Sequence, residues 1–206
     1  MDCRIKWRKL LLGLKEGSLV KGKQRIYLNL LQEKEEEEKG EGKGMVSISQ
    51  MKSLVKEVCQ SMGDKFASDD AIHLVLATGI VESRYEYIRQ MGDGPARSFW
   101  QVEAATAVDN LAHYLKHRKK LMGKCAEASL VDLKHWQNLD EKLWEEILEK
   151  NIAAGIVHCR LKYWRVPKKM PNSIEGQAEY WKKYYNTEGG KGDPEHFIEA
   201  CKKYLR

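Results

Sequence analysis

The sequence predicts a mainly α-helical protein with little or no β-sheet. Apolar residues recur at helical spacing along most of the chain, and residues that cap helices stand before several of these segments. No segment shows a convincing apolar–polar alternation of the kind that marks a half-buried strand. With 206 residues, 42% of them hydrophobic, the chain is long and apolar enough for one domain with a sizeable core.

The helices expected from this spacing have recognisable beginnings. Ser47 and Ser68 are placed to cap the first two, and Asp193-Pro194 combines a cap with proline at the first helical position. The helix that begins at Asp140 either continues or breaks near Asn151, and residues 98–102 are expected to form a short extended piece. The expected helices cover residues 47–62, 68–82, 104–122, 129–136, 140–150, 152–163, 174–185 and 194–205.

The first 44 residues differ in composition from residues 45–206, which we expect to form the main domain. Residues 33–44 read EKEEEEKGEGKG, a charge run without any apolar residue. One interpretation is a solvated linker that tethers a small basic amphipathic segment; the other is that translation begins at Met45. The purine-rich codons of Lys, Glu and Gly resemble a translated ribosome-binding region and favour the second. The apolar stretch at residues 10–14 is too short for a signal sequence, so we expect synthesis in the cytoplasm without a secretory signal.

The charge balance indicates an anionic partner without identifying it. The net charge is +6 and the sequence pI is about 8.9, which suits a cell wall or a nucleic acid. Acidic residues are mixed with the basic ones along the whole chain, so we expect no nucleic-acid partner. The basic residues at 116–120 and 162–169 are interpreted as a solvated face that attracts anionic wall polymer. No apolar run approaches the roughly 20 residues of a transmembrane helix, so none is expected.

The sequence predicts neither a metal site nor a cofactor. The five cysteines are widely spaced and are interpreted as isolated reduced thiols. His113 and His117 share a helix face, but Tyr114 stands where a zinc protease motif requires Glu. A cationic surface pair is therefore the interpretation of these histidines.

Glu82 is the candidate catalytic group. It stands at the end of an apolar helical run, ahead of a Gly/Pro turn at residues 91–95 and an aromatic segment at 99–101. Burial and the C-terminal end of the helix dipole both disfavour a carboxylate, so the pKa of Glu82 should be raised. A carboxyl group of this kind can protonate a glycosidic oxygen. The simpler alternative is a solvated or salt-bridged surface glutamate.

Three further segments follow Glu82 in an order that forms a pattern. The four segments are Glu82-Ser83; Ala96-Arg97-Ser98-Phe99-Trp100-Gln101 with Ala105-Thr106-Ala107; Asn151-Ile152 with Gly155 and Leu161; and Tyr184-Tyr185-Asn186 followed by Gly189 and Gly190. They resemble the catalytic Glu-Ser, the A-x-G-L-M-Q segment with its A-T-A, the N-I-x-x-G-x-x-Y-L helix and the A-Y-N-x-G segment of lysozyme-like glycosidases. Among these glycosidases, the four segments most resemble those of soluble lytic transglycosylases and goose-type lysozymes. The resemblance covers residues 45–190 and implies a lysozyme-like helical domain.

The resemblance implies cleavage of the β-1,4 bond between N-acetylmuramic acid and N-acetylglucosamine in peptidoglycan. Glu82 would be the general acid and then the base. Gln101 would line the groove and hydrogen-bond the sugar. Tyr185 would hold or polarise Glu82, and Asn186 would contact the substrate or shape its loop.

The remaining substrate-binding residues implied by the resemblance flank these groups. Ser83 follows the catalytic glutamate directly. Backbone groups near Ser98 and Phe99 would hold the acetamido group of the sugar. Trp100 lies inside the motif, and we expect it to stack on a sugar ring.

The sequence also departs from the family pattern in four places. Ser98 replaces the usual Gly, where a side chain would narrow the groove or change the backbone angle. Gly92-Asp93-Gly94-Pro95 stands in place of the usual Asn-Pro, and His158 stands where the family often has Tyr. Thr187-Glu188 adds one residue before the glycine pair.

A second carboxylate would distinguish hydrolysis from transglycosylation. A hydrolase places two carboxyl groups either about 5–5.5 Å or about 6.5–9.5 Å apart. Asp93, Glu103 and Asp109 are the candidates, and Glu103 also fits a simple helix N-terminal acid. Because none stands at a compelling position, a one-carboxylate mechanism is favoured, in which the acetamido or 6-hydroxyl group of the substrate completes the displacement. That mechanism is a lytic transglycosylase rather than a hydrolytic muramidase.

An enzyme of this kind without a leader fits a bacteriophage protein. It would act on the cell wall either as a lysis enzyme (endolysin) or as a virion component, with peptidoglycan glycan strands and other virion proteins as partners. The alternative is a non-catalytic tail or injection protein that keeps a lysozyme-like fold. The simultaneous presence of Glu82, Gln101, Tyr185 and Asn186 argues against that alternative.

Overall fold

A computed structural model describes residues 46–186 and 192–205. The expectations about residues 1–44, a start at Met45, the inserted Thr187-Glu188 and the glycine pair at 189–190 lie outside these residues. Within the described part of the chain, none of the helices combines the length and the apolar character needed to cross a membrane.

The described chain is mainly α-helical, as predicted. A 3₁₀ turn at Asp64–Phe66 follows the first helix. The third and eighth helices each continue into a π-helical turn, at Asn110–Leu115 and Lys182–Asn186. The helices are α1 (Ile48–Met62), α2 (Asp69–Ser83), α3 (Ala104–Asp109), α4 (Lys119–Ser129), α5 (Leu133–Trp136), α6 (Glu141–Lys150), α7 (Ile152–Trp164), α8 (Ile174–Trp181) and α9 (Pro194–Tyr204).

Several helix ends follow directly from the side chains that cap them. The Ser68 hydroxyl accepts a hydrogen bond from Ala71 N (3.3 Å), and the Asp193 carboxylate accepts one from Glu195 N (3.0 Å). At the junction of α6 and α7, Asn151 leaves the helical conformation and its Oδ1 accepts from Ala154 N (2.8 Å). Of the two alternatives at Asn151, the break is therefore the one that the structure has. Ser47 precedes α1 without capping it, because its hydroxyl bonds that of Ser49 instead (2.9 Å).

Two expected helices are wrong in their bounds. The single helix expected over residues 104–122 is interrupted, because Arg118 has a non-helical φ of −129° and its guanidinium packs 4.0 Å from the centre of the Tyr114 ring. The helix expected to begin at Ser129 does not, because α4 ends at that residue. The Ser129 hydroxyl bonds back to Cys125 O (2.8 Å), and Leu130 follows with φ +54°. Helix α5 is consequently limited to its last four expected residues.

The β-structure within the described residues is a two-stranded antiparallel sheet and an isolated bridge between Arg89 and Arg97. Strands β1 (Ala96–Arg97) and β2 (Val102–Glu103) pair so that Ala96 faces Glu103. The extended piece expected at 98–102 is wrong for most of its length, because residues 98–101 form the tight turn between the two strands. Ser98 and Gln101 both have positive φ, at 64° and 48°.

Helices α2 and α7 lie at the centre of the core. Residues 71, 72 and 74–80 of α2 and 154–161 of α7 are buried, which explains why both read as apolar on every side. Helix α7 packs against α1, α2, α4 and α6, and α2 is also packed against α8 and α9. This arrangement brings the end of α2, the β-hairpin and the end of α8 together around α7.

Candidate active site

Glu82 lies in the last turn of α2, immediately before the chain reverses. The turn depends on Ser83, whose hydroxyl donates to Gly79 O (3.1 Å) and accepts from Tyr85 N (3.1 Å). Arg84 and Tyr85 then adopt positive φ values of 52° and 54°. Ser83 is buried, so it holds the helix end and does not contact substrate, contrary to the expectation.

Glu82 is a half-buried residue, and a hydrogen bond from another helix holds its carboxyl group. Trp181 of α8 donates its Nε1–H to Oε1 of Glu82 at 2.9 Å. Burial raises the pKa of Glu82 from 4.5 to about 7, and the Trp181 hydrogen bond and the Lys162 charge act in the opposite direction. Glu82 therefore exchanges a proton near neutral pH while it retains some exposure to solvent.

Lys162 of α7 is a cation whose charge acts on this carboxyl group. Its Nζ donates to the carbonyl oxygen of Tyr185 (2.8 Å) and lies 4.3 Å from the centre of the Tyr185 ring. Burial lowers the pKa of Lys162, while the charges of Glu82 and Glu103 raise it. The interpretation of residues 162–169 as a solvated face is therefore wrong at its first residue.

Tyr185 does not hold Glu82 in the way that the resemblance implies. Its hydroxyl donates to Trp100 O (2.7 Å), and its ring stacks on Tyr163 with 5.2 Å between ring centres. The carbonyl of Trp100 lies within the hairpin turn, outside the β1–β2 ladder, and the Tyr185 hydroxyl provides its partner. Trp181, one helical turn earlier on α8, bonds Glu82 instead.

Hydrogen bonds between Gln101 and Ser98 close the hairpin turn. The backbone N–H and the side-chain amide of Gln101 both donate to Ser98 O (3.1 and 2.9 Å), and the Ser98 hydroxyl accepts from Trp100 N (3.3 Å). The Nε2 atom of the Gln101 side chain is thus used for a hydrogen bond within the turn. Gln101 remains partly exposed at the end of β1–β2.

The Ser98 side chain does not enter a groove. It is buried against α7 at Gly155, where a Cβ atom would come within 2.7 Å of the Ser98 hydroxyl oxygen. The φ of +64° at Ser98 is in the region that favours glycine, which is the residue usual at this position in the resembling family. The space beside Gly155 is what accommodates a serine here.

Phe99 and Trp100 belong to the core. Trp100 is fully buried, donates its Nε1–H to Val75 O (2.7 Å) and lies edge-on to Tyr85 at 5.8 Å. The expectation that Trp100 stacks on a sugar is wrong, because its ring has no exposed face. Phe99 is also buried, with its ring edge-on to Tyr85 at 5.4 Å.

The three candidate second carboxylates have different surroundings. Asp93 is exposed in the turn after Gly92. Asp109 forms an ion pair with Arg165 and lies 4.0 Å from His113. Glu103 is exposed at the end of β2, and its charge acts on Lys162, as that of Glu82 does. Of the three, Glu103 is therefore the one whose charge, like that of Glu82, acts on Lys162.

The loop between Glu82 and Gln101 is anchored to α6 by ion pairs. Arg97 pairs with Glu145 and with Glu149 (3.2 Å), and Arg89 pairs with Glu149 at 2.6 Å. Arg97 also donates to Gly94 O (2.7 Å). These contacts fix the turn that contains Asp93 and, with it, the position of β1.

The Asn186 side chain bonds residues on both sides of it in the chain. Its Oδ1 accepts from Lys182 Nζ (3.1 Å) and from Gly192 N (3.2 Å). A Cβ on Gly192 would come within 2.3 Å of the Trp181 ring. The packing at Gly192 therefore also constrains the tryptophan that bonds Glu82.

Two residues of the site, Trp181 and Lys162, were not predicted from the sequence. Trp181 precedes Tyr185 by four residues and so shares its helix face, which is the one local signal for it. Lys162 stands between the buried Leu161 and Tyr163, but Arg160 precedes it in the same helix, so its spacing does not distinguish it.

Metal ligands and related proteins give no further indication of function. Within residues 46–186 and 192–205, no three His, Cys, Asp or Glu side chains converge as a metal site would require. Comparisons of the chain with family models, with curated proteins and with solved structures find no match. The function must therefore be argued from the residues themselves.

Proposed function

We propose that this protein is a peptidoglycan-degrading glycosidase with Glu82 as its general acid and base. It would cleave the β-1,4 bond between N-acetylmuramic acid and N-acetylglucosamine, acting as a lytic transglycosylase rather than a hydrolytic muramidase. The resemblance of four sequence segments to lysozyme-like glycosidases supplies the substrate class. The site geometry supplies the argument for the chemistry.

The observation that carries the proposal is the burial of Glu82 at the end of α2, which raises its pKa. A general acid is most effective when its pKa lies near the working pH, because it must hold a proton and then release it. Burial brings the pKa of Glu82 to about 7, and the residue retains some exposure at the end of α2. An ordinary surface glutamate, the alternative reading of this residue, would lack the burial that raises the pKa.

In the proposed reaction Glu82 protonates the glycosidic oxygen as the bond from C1 of the muramyl residue to that oxygen breaks. The released strand leaves as an alcohol. The 6-hydroxyl group of the same muramyl residue then bonds to C1, and its proton passes to the Glu82 carboxylate. The acid is restored, and the muramyl product ends in a 1,6-anhydro ring.

The surroundings of Glu82 favour this one-carboxylate route. Among the described residues, the charge that acts on Glu82 is the ammonium group of Lys162, not a second carboxylate. Asp109 is occupied by Arg165, and Asp93 lies in an exposed turn. Of the three candidates this leaves Glu103 as a water-activating base, and Glu103 is exposed and is not among the groups whose charge acts on Glu82.

The setting that we propose is a bacteriophage, in which the protein acts on the host wall as a released lysin or as a virion component. The net charge of +6 suits association with an anionic wall polymer. The partners would be peptidoglycan glycan strands and, for a virion component, other virion proteins.

The test is mass spectrometry of the muropeptides released from purified peptidoglycan in ¹⁸O-labelled water. The proposal predicts 1,6-anhydro-muramyl ends without ¹⁸O, and loss of this release in Glu82→Gln by 100-fold or more, on the order of a missing general acid. Glu127→Gln removes an exposed carboxyl group of α4 and serves as the matched control, expected to release muropeptides as wild type does.

Each other outcome has a defined meaning. Reducing ends that carry ¹⁸O would identify a hydrolytic muramidase and overturn the transglycosylase assignment. Release that survives in Glu82→Gln would remove Glu82 from the mechanism. No release by wild type from several wall types would overturn the enzyme and leave a non-catalytic virion protein in its place.

A further inference from the structure

Trp181 lies in the candidate site but belongs to none of the four segments that resemble lysozyme-like glycosidases. It is the last residue of α8, and its Nε1–H donates to Oε1 of Glu82 at 2.9 Å. The two residues are 99 positions apart in the chain, so this hydrogen bond depends on the packing of α8 against α2. Because an indole nitrogen can only donate, Oε1 of Glu82 must be the acceptor.

The surroundings of Trp181 fix the direction of its indole N–H. Trp181 is buried, and its ring packs on that of Phe197 of α9 with 5.5 Å between ring centres. The backbone of Gly192 also lies against the ring, since a Cβ atom at Gly192 would overlap it. A ring packed this closely has little freedom to turn its N–H away from Glu82.

The second oxygen of Glu82, Oε2, is in a different environment. It accepts no hydrogen bond from residues 46–186 and 192–205. The enclosed side-chain nitrogen and oxygen atoms that lack a partner in this part of the chain belong to Arg97, His158 and Arg160, and Oε2 is not one of them. An oxygen that is neither bonded nor enclosed reaches solvent. One oxygen of Glu82 therefore faces a fixed donor, and the other is the one that a substrate can approach.

We propose that Trp181 is a positioning residue that distinguishes the two oxygens of Glu82, so that Oε2 carries the proton given to the glycosidic oxygen. In the acid form Oε1 is the carbonyl oxygen that accepts the indole N–H, and the proton resides on Oε2. When this proton moves to the leaving oxygen, the hydrogen bond to Oε1 becomes stronger, because its acceptor is then charged. Oε2 later takes the proton of the muramyl 6-hydroxyl group. This inference rests on the proposed function, because it assigns Trp181 a part in that reaction.

Replacement of Trp181 by β-(3-benzothienyl)alanine is the first test. A sulfur atom takes the place of the indole N–H in this residue, so the ring nearly keeps its size while the donor is lost. Because the bond is stronger to a charged acceptor than to a neutral one, its loss should lower kcat for muropeptide release about tenfold and leave KM unchanged. The assay uses soluble glycan strands at about pH 5.5, below the Glu82 pKa of about 7, so that both proteins begin with Glu82 protonated.

Trp144 provides the matched control. It is also buried, and its Nε1–H donates to Asn138 O at 2.9 Å. The same replacement at Trp144 removes a buried indole donor that does not bond Glu82, and it should leave kcat at the wild-type value. An unchanged kcat in the Trp181 variant, or an equal fall in both variants, would overturn the proposal.

A ¹H–¹⁵N NMR titration of the Trp181 indole N–H separates this proposal from the proposed function, because it requires no catalysis. The proton resonance should move downfield as Glu82 ionises, with the midpoint of the Glu82 carboxyl group, and should no longer titrate in Glu82→Gln. If wild type releases no muropeptide but the Trp181 resonance titrates, the reaction fails while the fixed oxygen of Glu82 stands. A resonance that does not titrate, or that still titrates in Glu82→Gln, overturns the role of Trp181 whether or not the protein is active.

Discussion

Replacement of Glu82 by Gln is expected to stabilise the folded protein in a pH-dependent way. Burial raises the pKa of Glu82 from 4.5 to about 7, so the folded state holds this proton more tightly than the unfolded chain does. The stability that comes from the protonated carboxyl group is fully present below pH 4.5. It is lost as the pH rises through about 7.

The magnitude follows from the difference between the two pKa values. The pKa of Glu82 rises from 4.5 to about 7 in the folded protein. At about 1.36 kcal/mol per pKa unit, wild type therefore loses roughly 3 kcal/mol of unfolding free energy between acidic pH and pH 8. Glutamine is neutral at every pH, and its amide oxygen can still accept the hydrogen bond from Trp181. We therefore expect Glu82→Gln to match wild type at pH 4.5 and to exceed it by roughly 3 kcal/mol at pH 8.

Urea unfolding of both proteins at pH 4.5, 6 and 8 measures this difference. Glu127→Gln on the exposed face of α4 is the control, and its stability relative to wild type should not vary with pH. A gain of the same size at pH 4.5 and pH 8 would refute the reasoning, because it would arise from packing. No gain at pH 8 would mean that the carboxyl group is well solvated and would remove the physical basis for Glu82 as a general acid.

Three further predictions concern Trp181, Glu103 and Gly155. Trp181→Phe removes the 2.9 Å hydrogen bond to Glu82, and a hydrogen bond to a charged acceptor is worth about 1.5–3 kcal/mol. The midpoint of the Glu82 carboxyl group in a ¹³C NMR titration should therefore rise by about one to two pH units. An unchanged midpoint would contradict the contact. Glu103→Gln should keep muropeptide release within about threefold of wild type, whereas a loss of about 100-fold or more would identify a general base. Gly155→Ala places a Cβ atom 2.7 Å from the Ser98 hydroxyl oxygen and should cost about 1–3 kcal/mol in urea unfolding. Ser98→Gly in the same chain should recover most of that loss, and failure to recover it would locate the clash elsewhere.

The helices could be predicted where their ends are encoded by adjacent residues. Ser68 and Asp193 each cap a helix within three residues of themselves, so the sequence contains the whole interaction. The interruption before α4 could not be predicted in this way. It depends on Arg118 folding over Tyr114 and on a π-helical turn, neither of which alters the apolar spacing.

The candidate acid, Glu82, could be predicted from the sequence, but the groups that act on it could not. Glu82 was identifiable because an apolar helix and its C-terminal end are local features. Trp181 is 99 residues away in the chain, and Tyr185 lies 85 residues from the Trp100 carbonyl that it bonds. The resemblance implied that Tyr185 holds Glu82 and that Trp100 contacts the substrate. In the structure the Tyr185 hydroxyl instead donates a hydrogen bond to the Trp100 carbonyl.

The opposing contacts around Glu82 explain how one carboxyl group can serve both halves of the proposed reaction. Burial alone would favour the protonated form and would produce an acid that does not release its proton readily. Trp181 and Lys162, from two different helices, stabilise the ionised form and oppose that effect. Because their sum leaves the pKa at about 7, neither form of Glu82 is strongly disfavoured at neutral pH. The proton can therefore be given to the leaving oxygen and regained from the 6-hydroxyl group without a second carboxylate.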